Sequence, residues 1–261
     1  MLPLVKNAIK RGFVPSMRIA RERMLHFLRT GYLHTSERVC PEYPDEIFQT
    51  HVKVYRFLVQ FVKHKRILEI GCGTGYGAHM LADYAASITA IDCSRRAVKY
   101  ASRHYAHDKI RHIVMKAERL DFPSQSFDVV LSSEVFEHLH GHEAHVRELA
   151  RVLRNGGLCF IATPNPEITD GHNEFHTKEW PFEELRDLLS RYFSQVAIIE
   201  TSGQPPNPEQ WESRKRRIEQ GQAGIDPHSD FSVFGAHVDR SHLDNPRSFF
   251  AFASHQHPQQ T

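Results

Sequence analysis

One stretch concentrates the residues that let a backbone approach a ligand: Ile67-Leu68-Glu69-Ile70-Gly71-Cys72-Gly73-Thr74-Gly75-Tyr76-Gly77. A short apolar run ends in a glycine-rich turn that opens a helix. Glycine accepts positive φ and carries no Cβ to keep a ligand away, while the first turn of a helix offers unpaired N–H groups. A branched side chain at Gly71 is therefore expected to occupy ligand space. Asp92 closes the next apolar run, 21 residues after Gly71. An acid at that distance accepts hydrogen bonds from ribose hydroxyls. Together the loop and the acid predict a nucleoside site. The dinucleotide fingerprint G-x-G-x-x-G would require glycine at position 76, which is Tyr76.

Histidine supplies the second kind of chemistry. Of 19 histidines, four crowd into His138-Leu139-His140-Gly141-His142-Glu143-Ala144-His145. His142 and His145 can share a helix face, but their H-E-x-H spacing is not the H-E-x-x-H of zinc peptidases. No metal site is assigned, and these side chains are read as surface or helix-start histidines. A second polar segment, Asn173-Glu174-Phe175-His176-Thr177-Lys178-Glu179-Trp180, follows a buried run and leads into a helix. His138 and His176 are the candidate general bases, because imidazole titrates near neutrality.

The elements that must position these residues alternate. Apolar runs at 66–70, 88–91, 111–115, 127–131, 158–162 and 195–200 are separated by amphipathic stretches at about 76–85, 94–104, 143–153 and 182–192. Strand–helix alternation with short connections predicts a doubly wound, mostly parallel α/β sheet covered by helices on both faces. The last run, 248–254, has no helix before it and suits an edge or antiparallel strand. Between Gly203 and Pro246 lies a polar stretch too long for a simple connection. It is expected to form a lid-like insertion at about 203–246 over the carboxyl edge of the sheet.

The glycine loop, with G-x-G-x-G spacing and Glu69 two residues before it, resembles the class I S-adenosylmethionine-dependent methyltransferases. The resemblance continues in order through Ala90-Ile91-Asp92-Cys93-Ser94, Lys116-Ala117-Glu118-Arg119-Leu120, Ser126-Phe127-Asp128-Val129-Val130 with Ser133-Glu134-Val135-Phe136-Glu137-His138-Leu139, and Arg151-Val152-Leu153-Arg154-Asn155-Gly156-Gly157. It covers roughly residues 65–200. The segment around His176 resembles the His-x-Arg-Glu-Phe stretch of bacterial ubiquinone-biosynthesis and sugar O-methyltransferases, with Lys178 and Trp180 departing from it. The resemblance implies a Rossmann-like seven-stranded sheet with one antiparallel strand and S-adenosylmethionine as cofactor. Gly71, Cys72 and Gly73 would lie under the donor, Glu69 near its amino group and Asp92 on its ribose. Cys93 and the Ala117–Glu118 backbone would border the adenine, and the Ser133 carbonyl would face the methionyl end. Lys116 stands where the family commonly has an acid. The implied activity is methyl transfer to a small-molecule acceptor, most simply a hydroxyl oxygen. A non-catalytic donor-binding regulatory module and an NAD-dependent oxidoreductase are the alternatives.

Composition bounds the remainder. The chain has 261 residues, 25% charged, with a net charge of +2, so no nucleic-acid partner is expected. Residues 1–50 read as a basic helical arm ahead of a domain spanning 51–261. Within it, residues 1–38 carry eight Lys/Arg against Glu22 and Glu37, a net of +6. The arm reads first as a solvated helix, and second as a weak peripheral contact with an anionic membrane or acceptor. No run approaches 18 apolar residues, which speaks against a spanning helix. Lys6, Lys10 and Arg11 interrupt any signal-peptide core. Four scattered cysteines without a CxxC pair suggest a reducing compartment, so a cytoplasmic protein is expected.

Overall fold

The computed structural model describes residues 46–166, 169, 173–200 and 248–255. The chain divides between Gln49 and Thr50, and the fold described is that of the unit beginning at Thr50. The basic stretch 1–38 and the lid-like insertion expected at 203–246 lie outside the described residues. Among the described helices, none is long and apolar enough to cross a membrane.

Helix α1 (Glu46–Val62) precedes strand β1 (Arg66–Ile70). Then follow α2 (Tyr76–Ala82), β2 (Ser87–Asp92), α3 (Arg95–His104), β3 (Ile110–Val114) and β4 (Phe127–Ser133). A single 3-10 turn (Phe136–His138), α4 (His142–Val152), β5 (Leu153–Pro164), α5 (Phe182–Ser190), β6 (Gln195–Glu200) and β7 (Ser248–Ser254) complete the order. The seven strands form one sheet in the order β3-β2-β1-β4-β5-β7-β6. β1 pairs in parallel with β2 and β4, β2 with β3, and β4 with β5. β7 runs antiparallel to both β5 and β6. The expected Rossmann-like sheet with one antiparallel strand is what forms. The closing strand is interior, with β6 outside it, because β7 presents Phe250, Ala251, Phe252 and Ala253 to a fully buried environment.

The central strands are continuous apolar runs because helices cover both faces; in β1 every residue after Arg66 is buried. α1 lays Phe57 and Phe61 against Phe252, with ring centroids 5.9 and 6.0 Å apart. On the opposite face Leu149, Val152, Leu185 and Leu189 join Val130 of β4, Cys159 and Ile161 of β5 and Ile198 of β6 in one buried cluster. Reversal of strand order at β1 and β4 leaves a crevice at their carboxyl ends, the usual ligand position in open α/β sheets. The glycine loop follows β1, Asp92 ends β2, and Ser133 ends β4, so the sheet brings all three to that edge.

Candidate active site

The chain leaves β1 through three left-handed glycines: Gly71, Gly73 and Gly75, at φ of 71, 52 and 90°. Their reasons differ. A Cβ on Gly71 would lie 2.3 Å from Val135 Cγ2, so the expected conflict with ligand is instead a conflict with the protein. A Cβ on Gly75 would lie 2.6 Å from that of Ala101 on α3. At Gly73 the nearest neighbour of a Cβ is the Gly71 carbonyl at 4.0 Å, so this backbone is open to a ligand. Asp92 is buried and ties the loop to its own strand end. One carboxylate oxygen accepts from the Gly73 N–H at 3.0 Å and the other from the Ser94 N–H at 2.7 Å. Cys72 donates its N–H to the Ile91 carbonyl at 2.9 Å. Cys72 is buried, and Cys93, just past Asp92, is exposed.

Glu69 is 2% exposed. The Tyr55 hydroxyl on α1 donates to its Oε1 at 2.6 Å, while Oε2 is buried with no hydrogen-bond partner. Burial pushes the carboxyl up to about 7, against the Tyr55 bond and the Ala78 backbone, which favour the charged form. A buried carboxylate oxygen without a hydrogen-bond partner, on the strand that leads into the glycine loop, is the complement of a cationic ligand group. The buried carboxylates Glu69 and Asp92 and the open Gly73 backbone are chemically compatible with S-adenosylmethionine, which carries an amino group and a ribose. Beyond β3, Met115 donates its N–H to the Asp92 carbonyl at 3.1 Å, which sets the Lys116–Leu120 loop beside that acid. In this loop Ala117 is buried, Glu118 half-buried and Lys116 exposed.

Past β4 the chain gathers groups that sequence reasoning had left apart. Ser133 is half-buried at the strand end. Glu134 follows at φ 53°, a conformation side chains rarely adopt, held by its N–H on the Ala162 carbonyl at 2.8 Å. The 3-10 turn then delivers Glu137 and His138. Glu137 is 1% exposed, and Thr163 donates to its Oε2 at 3.1 Å. Burial first, and the neighbouring Glu134 carboxyl second, raise Glu137 well above the carboxylate range. Glu134 is raised too, chiefly by burial, against a hydrogen bond donated by Ser248 at 3.1 Å.

The two candidate bases meet here. His138 and His176 face each other edge to face with ring centroids 5.1 Å apart. His138 Nδ1 donates to the Phe175 carbonyl at 3.1 Å, and its Nε2 is 3.7 Å from Glu137. His176 Nδ1 lies 2.6 Å from the Glu179 carboxylate and Nε2 lies 2.8 Å from the Asn173 amide nitrogen. Ligand atoms of Glu137, His138 and His176 lie within 4.8 Å of one another, a set able to hold a cation although none was assigned from sequence. Glu134, Glu137, Asn173, Thr163 and Glu179 were not anticipated as site residues; the Glu134–Glu137–His138 spacing next to a strand end was the available signal. His145, read as a surface or helix-start residue, is instead fully buried.

The fold, the glycine loop and the acid at the end of β2 form a doubly wound α/β domain with a ligand crevice at the carboxyl edge of its sheet. Residues 68–161 match the methyltransferase-domain family. It is 38% identical over 164 residues to a Mycobacterium tuberculosis protein named "probable S-adenosylmethionine-dependent methyltransferase", covering 59% of this chain and 58% of that one. It is 39% identical over 102 residues to the ubiquinone biosynthesis O-methyltransferase of Parvibaculum lavamentivorans, covering 38% of this chain and 40% of the relative. The chain thus spans less than two thirds of these relatives. Among solved structures, the YcgJ protein of Bacillus subtilis superposes with a TM-score of 0.57 at 17% identity, over 80% of this chain and 98% of that one. At that identity the likeness concerns the fold.

Proposed function

We propose that the protein transfers a methyl group from S-adenosylmethionine to a hydroxyl oxygen of a small-molecule acceptor, with His138 as the general base. The observation that carries this reading is the His138–His176 pair. It stands at the carboxyl edge, in the turn that follows Val135, and Val135 abuts Gly71 of the glycine loop. When bound, the donor supplies a methyl group already activated on a sulfonium. The protein's task is therefore alignment and exclusion of water, plus removal of a proton that a hydroxyl holds until transfer.

The hydrogen bonds order the two histidines. The Asn173 amide donates to His176 Nε2, so His176 Nδ1 carries the proton that the Glu179 carboxylate accepts. Both of its nitrogens are committed within the 173–179 segment, so its role is to shape that segment, while the Thr177 N–H and hydroxyl tie it to the Glu137 carbonyl at 2.8 and 3.0 Å. His138 spends Nδ1–H on the Phe175 carbonyl, which leaves the lone pair on Nε2. Glu134 and Glu137, both raised chiefly by burial and Glu137 also by the neighbouring Glu134, stabilise a protonated His138 only once they give up a proton.

His138→Ala is expected to lower kcat by roughly 10²–10⁴ with donor affinity preserved. His176→Ala is expected to act mainly on acceptor KM. The assay is transfer of labelled methyl from S-adenosylmethionine into a metabolite extract, followed by kinetics on the acceptor found. Normal kcat in His138→Ala with a damaged one in His176→Ala would reassign the base. Donor binding without turnover on any acceptor would leave the protein a regulatory donor-binding module.

A further inference from the structure

Helix α4 carries three polar side chains on one face at a spacing of three residues, and all three grip the loop that follows β3. His145, 0% exposed, places Nδ1 2.9 Å from the Ala117 carbonyl and Nε2 3.1 Å from the Ser132 hydroxyl. Glu148 accepts the Leu120 N–H at 2.8 Å. Arg151 donates to the Phe122 carbonyl at 2.7 Å and the Leu120 carbonyl at 2.8 Å, and is fixed on Glu148 through Nε and Nη2, each at 2.8 Å. The Glu148–Arg151 pair holds the far end of the loop, and His145 holds the Ala117–Glu118 peptide, two residues past the Met115 N–H that meets the Asp92 carbonyl at 3.1 Å.

The tautomer of His145 follows from its partners. A carbonyl only accepts, so Nδ1 carries the proton, and Nε2 must accept from Ser132. Burial pushes the imidazole down to about 4, which keeps it neutral at working pH. A trans peptide points its C=O and the following N–H in opposite directions. With the Ala117 carbonyl turned inward onto His145, the Glu118 N–H is aimed away from α4. We infer that His145 is a positioning residue that sets the nucleobase selectivity of the donor site, by fixing the Ala117–Glu118 peptide so that its N–H meets an acceptor on the purine's pyrimidine edge. This rests on the donor-site reading above. Adenine offers an acceptor at N1, whereas hypoxanthine carries N1–H there and leaves the peptide N–H facing a donor.

The test is calorimetric titration with S-adenosylhomocysteine and with S-inosylhomocysteine, its deaminated counterpart, on the full chain. Wild type should prefer the adenine compound strongly. His145→Leu, which fills the volume without a donor, should narrow that ratio by about tenfold, the effect of one lost buried hydrogen-bond partner. His145→Asn places an amide N–H where Nδ1–H stood and should keep the ratio within about threefold of wild type. A structural role alone would lower the urea midpoint in both variants and leave the ratio unchanged. An unchanged ratio in His145→Leu overturns the inference, as does a ratio in His145→Asn that falls as far as in His145→Leu. If His145→Leu does not fold, Ser132→Ala, which frees the ring to turn, should narrow the ratio, and an unaltered ratio there counts against the inference equally. Failure of wild type to bind either compound would instead overturn the donor-site reading on which it stands.

Discussion

Asp92 has two duties in the same side chain. It receives the Gly73 and Ser94 N–H groups, and so shapes the loop, and in the proposed donor site it would also receive the ribose hydroxyls. Asp92→Ala is therefore expected to weaken S-adenosylhomocysteine binding by about 1–3 kcal/mol, read by calorimetry. The Gly71 position separates two costs. Gly71→Ala meets Val135 and is strained at φ 71°. Adding Val135→Ala should recover the steric part of the lost thermal stability and leave the backbone part, about 1 kcal/mol. Full recovery in the double variant would show that the positive φ carries no cost. The identities of these residues were legible in the chain because their chemistry depends on type and spacing. The obstacle at Gly71 was not, since Val135 is distant in sequence and arrives through β4.

At the scale of elements, α1 reaches the site only because α2 lets it. Gly77 faces the Tyr55 ring so closely that a Cβ would lie 2.1 Å from Tyr55 Cζ. The same approach brings the Tyr55 hydroxyl onto Glu69, and the Tyr55 and Tyr76 rings meet at 5.7 Å. Gly77→Ala should push the two helices apart and cost about 1–3 kcal/mol, as overpacking does. Urea denaturation measures this, and a fluorescence change at the tyrosines should accompany it. A variant as stable as wild type would mean that the helices shift without penalty. β6 and β7 present a related dependence. Ser248, which opens β7, donates to Glu134 at 3.1 Å, and Glu200 at the end of β6 is in register with Phe249, so residues far apart in the chain meet at one edge.

The whole molecule answers to pH through groups buried against their ordinary charge. Glu69 goes from an ordinary 4.5 to about 7, so the folded chain binds the extra proton, and stability falls as pH rises through that window. His145 goes from 6.5 to about 4, so the fold excludes a proton there, and stability falls as pH drops from 6.5 toward 4. Glu69→Gln should thus gain on wild type between pH 5 and pH 8, by an amount on the order of a few kcal/mol at the upper end. Urea midpoints at pH 5, 6, 7 and 8 for wild type and Glu69→Gln check it; parallel curves would mean that Glu69 titrates normally in the fold. What the chain determined by itself was the alternation that makes a parallel sheet, the glycine turn after β1, the acid ending β2 and the pair of candidate histidines, because burial period, backbone freedom and side-chain chemistry are local properties. Only the tertiary structure decided that β7 lies inside the sheet, that His138 and His176 meet at 5.1 Å with Glu137 between chain segments, and that His145 is a core residue holding a loop. Those outcomes depend on which distant strands pair and which faces they bury, and pairing between distant segments leaves no periodic trace in either partner.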